Sequence, residues 1–460
     1  MNIVIPVSLK TLAQQFLAAG SKLYIVGGYV RNAVMGDFPT DIDITSNVAP
    51  ERLRTILHNA KVTPVNKTLG TCIIAAGNQK YDYTPYRSET YAEGGAHRPL
   101  SVLFTNSMAE DSRRRDFTCN TLYYDILDNK ILDPYGGVAD INKKVLRAIV
   151  SPQHVFKRDG LRILRMVRQA AEMGFNVDPD TFNCARELVS QLKDISPERK
   201  RIELEKILAA DQKYGVADAH YRGLKLIGEL DAWQYIIPEI ADGIGVIQNP
   251  KYHKSDVYEH TLLTVKYAPK EIRLAALMHD IGKPEALRQH GNMYKHPEIG
   301  AAITKERLSQ TGLRYPNVTV LQICKIVRHH NYDLDGTTSL SKLRVFIAKN
   351  VSVIEDIIAL KKADAMATGL VSEPVTVRIE TVYDQMKAEK CPMRLSDLEI
   401  NGADIFSAYP DVKKENMSKI LRALLDEVVM NPSLNNKEWL IARAGKIVSF
   451  SADENSVEKS

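Results

Sequence analysis

The sequence predicts an α+β protein in which a head of mixed strands and helices precedes a long all-helical remainder. Short β signals bounded by glycine, asparagine or aspartate are confined to the first third of the 460 residues. From about Ser151 onward, apolar residues recur instead at helical spacing. The chain is also too long for one ordinary hydrophobic core, so we expect two to four domains.

The predicted strands are short runs rich in β-branched and aromatic residues, and the first of them ends at a pair of glycines. They are residues 23–26, 42–44, 72–75, 81–83, 122–126 and 130–132. The last two are separated by Asp128-Asn129, which predicts a hairpin. Residues 91–107 contain Gly94-Gly95 and few periodic apolar residues, so they are predicted to form a mobile loop within the head.

The predicted helices show apolar residues three and four positions apart. They are residues 161–171, 202–208, 261–267, 272–278 and 417–429. The polar tail at residues 449–460 is predicted to be disordered.

Composition excludes several classes of protein. Hydrophobic residues make up 44% and charged residues 25%, as in a globular protein, and no apolar run approaches the ~20 residues of a membrane helix. The N-terminus does not resemble a secretory signal, so we expect a cytoplasmic protein without a membrane partner. Five scattered cysteines without a C-x-x-C pair argue against disulfides and a cysteine zinc site. The net charge of +5 permits a nucleic-acid partner.

Two adjacent patterns predict a phosphoryl-transfer site. Gly27 and Gly28 end a strand and precede a helix, where backbone amides attract phosphate, and Arg31 adds a forked donor one turn later. Asp41 and Asp43 are two apart on a predicted strand, so both carboxylates face one side and can bind divalent cations. Each pattern is common alone. Their joint occurrence predicts metal-assisted transfer of a phosphoryl group.

Several motifs resemble those of one family. The segment VGGYVRNAVMGDFPTDIDIT is similar to the head signature of class II CCA-adding enzymes and bacterial poly(A) polymerases, which are polymerase-β-like nucleotidyltransferases. RRRDFTCNTLYYD and DPYGGVADINKKVLRAI resemble the family's next two motifs, and LRILRMVRQAAEMGF and ISPERKRIELEKIL resemble its helical neck. The resemblance covers roughly residues 20–210. It implies Mg²⁺-dependent transfer of a nucleoside monophosphate from CTP or ATP to an RNA 3′ end.

The resemblance also implies residue roles in the head. The expected residues are Asp41 and Asp43 as metal ligands, Gly27, Gly28 and Arg31 at the triphosphate, Arg115 near phosphate, and Asp116 and Asn120 at the ribose. Asp82 is either a third carboxylate of the site or a strand aspartate paired to Arg87.

The choice of base is predicted to depend on Asp159 and Arg162. Cytosine and adenine each present an amine donor beside a ring-nitrogen acceptor, which an aspartate and an arginine can match, whereas uracil and guanine present the reverse order. Spacing alone would favour an ordinary salt bridge on a helix surface. The resembled motif, Glu-Asp-x-x-Arg, assigns the pair to base reading, although its glutamate is Arg158 here. The chain also retains the loop, residues 86–104, that family members adding the terminal A require.

A second set of residues resembles the HD phosphohydrolase domain, with its order of His, His-Asp, His, His and Asp. We assign His260, His279, Asp280 and Asp364 to one divalent metal, which could be Mn²⁺, Ni²⁺, Co²⁺ or Mg²⁺. His296 and His329 would complete a second metal site. His253 competes for the first position, and Lys283 is expected near phosphate. The implied activity is hydrolysis of a phosphomonoester or cyclic phosphate, and the alternative is a purely structural HD fold.

The resulting prediction is a CCA-adding nucleotidyltransferase whose partners are tRNA, CTP and ATP. Its expected parts are a head at residues 1–150, a helical neck at 151–245, an HD domain at 246–370 and C-terminal RNA-binding helices at 371–460. In the last part, Lys413, Lys414 and Lys419 either contact RNA phosphates or form a solvated face. Alternatives are a poly(A) polymerase, an enzyme adding only part of CCA, an HD phosphohydrolase with an RNA-binding head, and a nucleotide sensor.

Overall fold

The fold was analysed in a computed structural model that describes residues 5–37, 41–91, 99–250, 254–369 and 374–457. The chain divides into two compact units. The first contains residues 1–241 and 310–314, and the second contains residues 242–309 and 315–460. The predicted boundary between neck and HD domain, at residue 245, lies close to this division.

The first unit begins with the strands of the head. They are β1 (Tyr24–Val26), β2 (Asp43–Ser46), β3 (Ala60–Asn66), β4 (Thr71–Ala76), β5 (Gln79–Pro85), β6 (Arg87–Thr90), β7 (Ser101–Phe104), β8 (Tyr123–Asp125) and β9 (Lys130–Leu132). Seven of them form one sheet in the order β3-β4-β5-β2-β1-β8-β9. Only β2 and β5 pair in parallel within it, so the sheet is mixed, as predicted. β6 and β7 form a separate antiparallel hairpin.

The helices of the head are α1 (Val7–Ala18), α2 (Gly28–Met35), α3 (Pro50–Ile56), α4 (Met108–Arg113) and α5 (Gly137–Asn142). Fully buried side chains of the sheet and of α1 form the core, among them Phe16, Ile25, Ile44 and Tyr83. Burial of such side chains stabilises each by roughly 1.5–3 kcal/mol. The alternation of buried and exposed residues along β5 turns Tyr81 and Tyr83 inward and leaves Asp82 exposed on the other face.

The rest of the first unit consists of helices and one short strand pair. They are β10 (Val145–Leu146), α6 (Pro152–Phe156), α7 (Leu161–Met173), β11 (Asn176–Val177), α8 (Pro179–Glu187), α9 (Pro197–Leu208), α10 (Asp211–Tyr214), α11 (Ala219–Glu229) and α12 (Pro238–Ala241). α7 is strongly amphipathic and ends at Gly174 in the left-handed conformation. Gly223 lets α11 pack closely on α9, since a β-carbon there would lie 2.7 Å from Ile207.

The second unit is helical throughout its described residues. Its α-helices are α13 (Val257–Tyr267), α14 (Arg273–Met278), α15 (Lys283–His290), α16 (His296–Leu308), α17 (Asn317–His329), α18 (Leu340–Lys349), α19 (Ile354–Ala367), α20 (Pro374–Ala388), α21 (Gly402–Ala408), α22 (Lys414–Met430) and α23 (Lys437–Val457). Buried Ile405, Leu424, Val428 and Leu440 form a core for the last three helices. Among the described residues, no helix combines the length and apolar character needed to cross a bilayer.

The fold differs from the sequence predictions in three places. β3 was missed because Lys61, Thr63 and Pro64 interrupt its apolar pattern. Part of the predicted loop is ordered as the β6–β7 hairpin, and residues 92–98 of that loop lie outside the described residues. The predicted disordered tail begins inside α23, which extends to Val457.

Candidate active sites

A cavity of about 440 Å³ opens in the first unit, where the turn between β1 and α2 meets β2, α7 and α9. Cationic side chains dominate its wall. The lining residues are Gly27, Gly28, Arg31, Asp43, Arg114, Arg115, Asp116, Asn120, Asp159, Leu161, Arg162, Arg165, Arg168, Gln169, Arg199 and Lys213. The structure thus brings the predicted glycines, ribose residues and base-reading pair to one cavity. Such a concentration of cations favours a polyanionic ligand.

The glycine turn forms one side of this cavity. Gly27 has a φ of 75°, a conformation that side chains other than glycine adopt with strain. α2 begins at Gly28, so its first amide groups lie at the cavity. Arg31, which was predicted to hold the triphosphate, lines the cavity. Its buried guanidinium donates to Asn120 at 2.6 Å and to Tyr214 at 2.9 Å, and these contacts fix its position.

Three acidic residues, here called the acidic edge, lie at the start of β2 and on the neighbouring β5. Asp43 and Asp82 are register partners in the parallel β2–β5 pair, and Asp41 precedes β2. All three side chains are exposed. The pKa of Asp43 is raised, first because the surrounding protein displaces water and then because Asp82 repels its charge, while Arg115 opposes the shift. Arg87 pairs with Glu89 at 2.7 Å instead of with Asp82, and Asp82 lies exposed beside Asp43.

Asp116 and Asn120 are joined by a hydrogen bond of 2.8 Å from the Asn120 amide. Arg165 adds two hydrogen bonds to the Asp116 carboxylate, at 3.0 and 2.5 Å. Burial alone would raise the pKa of Asp116, but Arg165, Asn120 and Arg162 outweigh it and hold that pKa well below its usual range. Asp116 is therefore a fixed, ionised hydrogen-bond acceptor beside the cavity.

Asp159 and Arg162 both line the cavity, although they are not two positions on one helix face as predicted. α7 begins at Leu161, and the Asp159 carboxylate accepts a hydrogen bond from the Leu161 amide at 3.0 Å. Asp159 also pairs with Arg199 of α9 at 2.7 Å. Arg162 is buried and donates to the carbonyl oxygens of Arg114 and Arg115 at 2.6 and 3.3 Å. Both side chains are thus fixed by protein contacts.

Sequence reasoning missed five cations of the cavity: Arg114, Arg165, Arg168, Arg199 and Lys213. The signal for two of them was available, since Arg162, Arg165 and Arg168 recur every three residues on one side of α7. Arg199 and Lys213 come from α9 and α10, and only the tertiary fold brings these helices to α7.

A second candidate site lies in the second unit and consists of two groups of potential metal ligands. His260, His279 and Asp364 form one, and Asp280, His296 and His330 form the other. In each group the potential ligand atoms lie within 4.8 Å of one another. Asp280 lies between them, because one carboxylate oxygen is 3.1 Å from His279 and the other is 3.3 Å from His296. This arrangement fits a pair of cations that share Asp280.

Backbone contacts orient three of the imidazole rings. The Nδ1 atoms of His279, His296 and His330 lie 2.7, 2.8 and 2.6 Å from the carbonyl oxygens three residues earlier. These contacts fix the orientation of each ring and direct its Nε2 atom into the cluster. Gly282 permits the close packing behind them, because a β-carbon there would lie 2.2 Å from the His296 carbonyl oxygen.

Opposite charges lie close together in this cluster. Burial alone would raise the pKa of Asp280, but His279 and Lys283 hold it well below its usual range. Lys283 lies 2.5 Å from Asp280 and donates to Gln248 at 2.6 Å. Burial lowers the pKa of His330 to about 4, which keeps that imidazole neutral and able to bind a cation.

One predicted ligand differs from the structure. His329 was expected in the second metal group, but the buried residue there is His330. The last turn of α17 directs His329 elsewhere, so that its ring lies edge-on to Phe346 with centroids 5.5 Å apart. A His-His pair does not reveal which member faces the core, because that depends on the rotation of the helix. His253, the competing first ligand, lies outside the described residues.

Comparison with known families identifies the parts of the chain. Residues 23–147 match the profile of the poly A polymerase head domain. Residues 174–244 match a probable RNA and SrmB-binding site of polymerase A, and residues 252–369 match the HD domain. A head of this kind and an HD domain imply dependence on divalent metal ions.

Curated relatives include two CCA-adding enzymes. That of Leuconostoc mesenteroides is 37% identical over 195 residues, which are 42% of this chain and 47% of the relative. That of Bacillus subtilis is 37% identical over 193 residues, with the same shares covered. The chain therefore spans about half the length of the curated relatives it matches.

Solved structures extend the likeness to nearly the whole chain. The Bacillus stearothermophilus CCA-adding enzyme in complex with CTP is 22% identical, with a TM-score of 0.66 and 97% of this chain and 98% of that chain covered. The Thermotoga maritima CCA-adding enzyme complexed with tRNA is 16% identical, with a TM-score of 0.57 and 96% of each chain covered. The chain thus has the fold of CCA-adding enzymes, which confirms the predicted fold class and the predicted resemblance.

Proposed function

We propose that this chain is a CCA-adding nucleotidyltransferase, which transfers CMP and AMP from CTP and ATP to the 3′ end of tRNA. One observation carries the proposal. A single cationic cavity brings together the Gly27–Gly28 turn, Asp43 of the acidic edge and the Asp159–Arg162 pair. The curated relatives, which are named CCA-adding enzymes, support the same function.

The acidic edge fits divalent cations, for which we propose Mg²⁺. Asp41 and Asp43 would hold them, with Asp82 as a third carboxylate beside Asp43. The raised pKa of Asp43 reflects repulsion and lost hydration that a bound cation relieves. When bound, the metal supplies charge neutralisation at the triphosphate. Carboxylate oxygens are the ligands that Mg²⁺ prefers, so the donor set suits this metal.

The protein's own cations would position the triphosphate and the leaving pyrophosphate. Gly28 offers its backbone amide at the start of α2, whereas the Gly27 amide donates to the Leu122 carbonyl at 3.2 Å. Arg115 lies against this turn. Arg168 and Lys213 add positive charge to the cavity wall. Asp116, fixed by Arg165 and Asn120, accepts a hydrogen bond from the ribose hydroxyl of the incoming nucleotide. Preorganised donors and acceptors of this kind reduce the reorganisation needed in the transition state.

Asp159 and Arg162 would select the base. The Asp159 carboxylate accepts from the exocyclic amine of cytosine or adenine, and Arg162 donates to the neighbouring ring nitrogen. Uracil and guanine would leave buried polar groups mismatched. The contacts of Asp159 with Arg199 and of Arg162 with backbone carbonyls hold both side chains in place before a nucleotide binds.

The deciding experiment supplies tRNA lacking its terminal CCA with labelled CTP, ATP or both. Addition of two C residues followed by one A is the expected result. Long tails made from ATP alone would favour a poly(A) polymerase, and arrest after CC would indicate a partial CCA activity. Binding of nucleotide without incorporation would overturn the proposed function. Because tRNA and nucleoside triphosphates are present in the cytoplasm, we expect the enzyme to act there.

We propose as a second activity that the HD domain hydrolyses a phosphomonoester or a cyclic phosphate. The observation that favours it is the complete, buried ligand set with three oriented imidazoles. His260, His279 and Asp364 would hold one divalent metal, and His296 and His330 a second, with Asp280 between them. A bound metal supplies Lewis acidity at the phosphorus, and Lys283 adds a positive charge beside Asp280.

Hydrolysis is tested with p-nitrophenyl phosphate and 2′,3′-cyclic AMP in the presence of Mn²⁺, Ni²⁺, Co²⁺ or Mg²⁺. Turnover that is lost in His279→Ala and retained in Asp41→Ala supports the proposal. Absence of turnover with all four metals, in protein that binds them, would indicate a structural role for the HD domain.

We further propose the four-part division at residues 150, 245 and 370, with tRNA contacting the C-terminal helices. Lys413, Lys414 and Lys419 are exposed at the start of α22, so they can reach phosphate groups. Their joint replacement by glutamine should weaken tRNA binding and reduce its salt dependence. An unchanged salt dependence would assign these lysines to an ordinary solvated face.

A further inference from the structure

We propose that Arg158 is a positioning residue for base selection, acting through a cation–π pair with Tyr91. The inference rests on the proposed nucleotidyl transfer. In the resembled family motif a glutamate occupies this position, so the role of that glutamate cannot be transferred to Arg158.

Arg158 and Arg162 clamp the same short segment of the head. Arg158 donates to the carbonyl oxygen of Arg113 at 3.2 Å, and Arg162 donates to those of Arg114 and Arg115. His154 adds a contact of 2.9 Å to the Arg113 carbonyl. Three consecutive carbonyl groups therefore fix the chain on both sides of Asp159 to the segment that leads to Asp116.

The guanidinium of Arg158 is oriented by an aromatic ring. Its central carbon lies 5.8 Å from the centroid of the Tyr91 ring, within the range of a cation–π interaction. The Tyr91 hydroxyl donates to Glu89, which accepts from Arg87 at 2.7 Å. Arg87 in turn donates to the Leu69 carbonyl at 2.9 Å. Glu89 and Arg87 are both buried, so this row of contacts ties Arg158 to the β6–β7 hairpin.

Tyr91 is electrostatically close to the base-reading pair. Its pKa is raised, first by burial and then by its hydrogen bond to Glu89, and the charges of Arg162 and Asp159 act on it in opposite directions. The same environment explains why an arginine suits position 158. A glutamate there could not donate to the Arg113 carbonyl, and it would bring a second carboxylate towards Glu89.

The contacts of Arg158 with Tyr91 and with the Arg113 carbonyl predict how substitutions change base selection. Wild-type protein and its variants are compared by kcat/KM for CTP against UTP on tRNA lacking CCA. Arg158→Gln and Tyr91→Leu should each lower the CTP preference about tenfold, because Asp159 and Arg162 lose part of their support. Arg158→Glu, which restores the residue of the resembled motif, should lower it further. Arg158→Lys should retain part of the preference, since lysine keeps the cation over the ring.

A double variant and a control make the test specific. Arg158→Gln combined with Tyr91→Leu should lose no more preference than the worse single variant, because both remove one interaction. Lys157→Gln makes the same charge change at an exposed neighbouring side chain and should leave the preference unchanged. Equal loss of kcat for CTP and UTP with an unchanged ratio, additive effects in the double variant, or improved preference in Arg158→Glu would overturn the inference. Failure of wild-type protein to incorporate CMP would instead overturn the proposed function.

Discussion

The cavity of the first unit and the HD cluster differ in how they arrange their charged groups. In the first unit Asp41, Asp43 and Asp82 are exposed, arginines dominate the cavity that Asp43 lines, and no histidine occurs among the described residues of that lining. The HD cluster buries four histidines and Asp280 almost completely, with relative exposures of 0–7%. The first arrangement suits a charged substrate, and the second suits bound cations.

Desolvation explains this difference. Removing an ionised group from water is costly unless an opposite charge compensates it nearby. The head avoids most of that cost by leaving its carboxylates at the surface until metal and triphosphate arrive. The HD cluster compensates internally, because Asp280 is surrounded by His279, His296, His330 and Lys283. We therefore expect metal to enter the head with its nucleotide and to remain in the HD cluster between turnovers.

The largest expected effect separates the two sites completely. Asp41→Ala or Asp43→Ala should reduce nucleotide incorporation by about a thousandfold or more, since each removes a metal ligand, and should leave phosphatase activity unchanged. His279→Ala should do the reverse. Incorporation is measured with labelled CTP, and hydrolysis with p-nitrophenyl phosphate. Loss of both activities in any one of these variants, with normal thermal unfolding, would contradict two independent sites.

Substitution of the base-reading pair, Asp159 and Arg162, is expected to have the next largest effect. Asp159→Ala should lower the preference for CTP and ATP over UTP and GTP by about a hundredfold, because the acceptor for the exocyclic amine is lost. Arg199→Gln should have a smaller effect, since it only frees the Asp159 carboxylate from its partner. Relative kcat/KM values for the four nucleotides provide the measurement. Unchanged discrimination in Asp159→Ala would refute the proposed mode of base reading.

Substitution of the adjacent residues His329 and His330 tests whether the HD cluster binds metal. His330→Ala should weaken binding of Mn²⁺ by about 10- to 100-fold, because it removes a ligand oriented by the Val327 carbonyl. His329→Ala serves as a matched control and should leave binding unchanged, because its ring packs against Phe346. Equilibrium dialysis followed by elemental analysis measures affinity and stoichiometry. Equal losses in the two variants would show that the cluster is not the metal site.

The smallest effect is a pH dependence of stability near the HD cluster. Lys361 is buried and donates to the carbonyl oxygens of His330 and Tyr332, and burial lowers its pKa from 10.5 to about 8. Between these values the unfolded chain holds a proton that the folded chain has lost. Raising the pH from 8 to 10.5 should therefore stabilise the fold, by on the order of 1–3 kcal/mol from this group.

Urea unfolding of the wild type and of Lys361→Met, followed as a function of pH, isolates that contribution. The difference between the two free energies of unfolding should grow with pH above 8 and be constant below it. Lys362→Met, an exposed neighbour paired with Glu380, should show no such trend. A constant difference over the whole range would mean that Lys361 stays protonated in the folded chain.

Much of this protein could be predicted from the sequence. Strand and helix periodicity depends on local side chains, so the α+β head and the helical remainder followed directly, and Gly27 with Asp41 and Asp43 predicted phosphoryl transfer because their spacing is itself the chemical requirement. Arg165 and Arg168, which were not predicted, follow Arg162 at intervals of three residues on α7.

Other features were decided by the tertiary structure alone. The parallel pairing of β2 with β5 aligned Asp82 with Asp43, and the packing of α9 beside α7 supplied Arg199 to Asp159. The rotation of α17 selected His330 over His329. Contacts of this kind join residues far apart in the chain, and their free energy depends on burial and orientation. The sequence by itself determined which chemical groups are present, and the fold decided which of them meet.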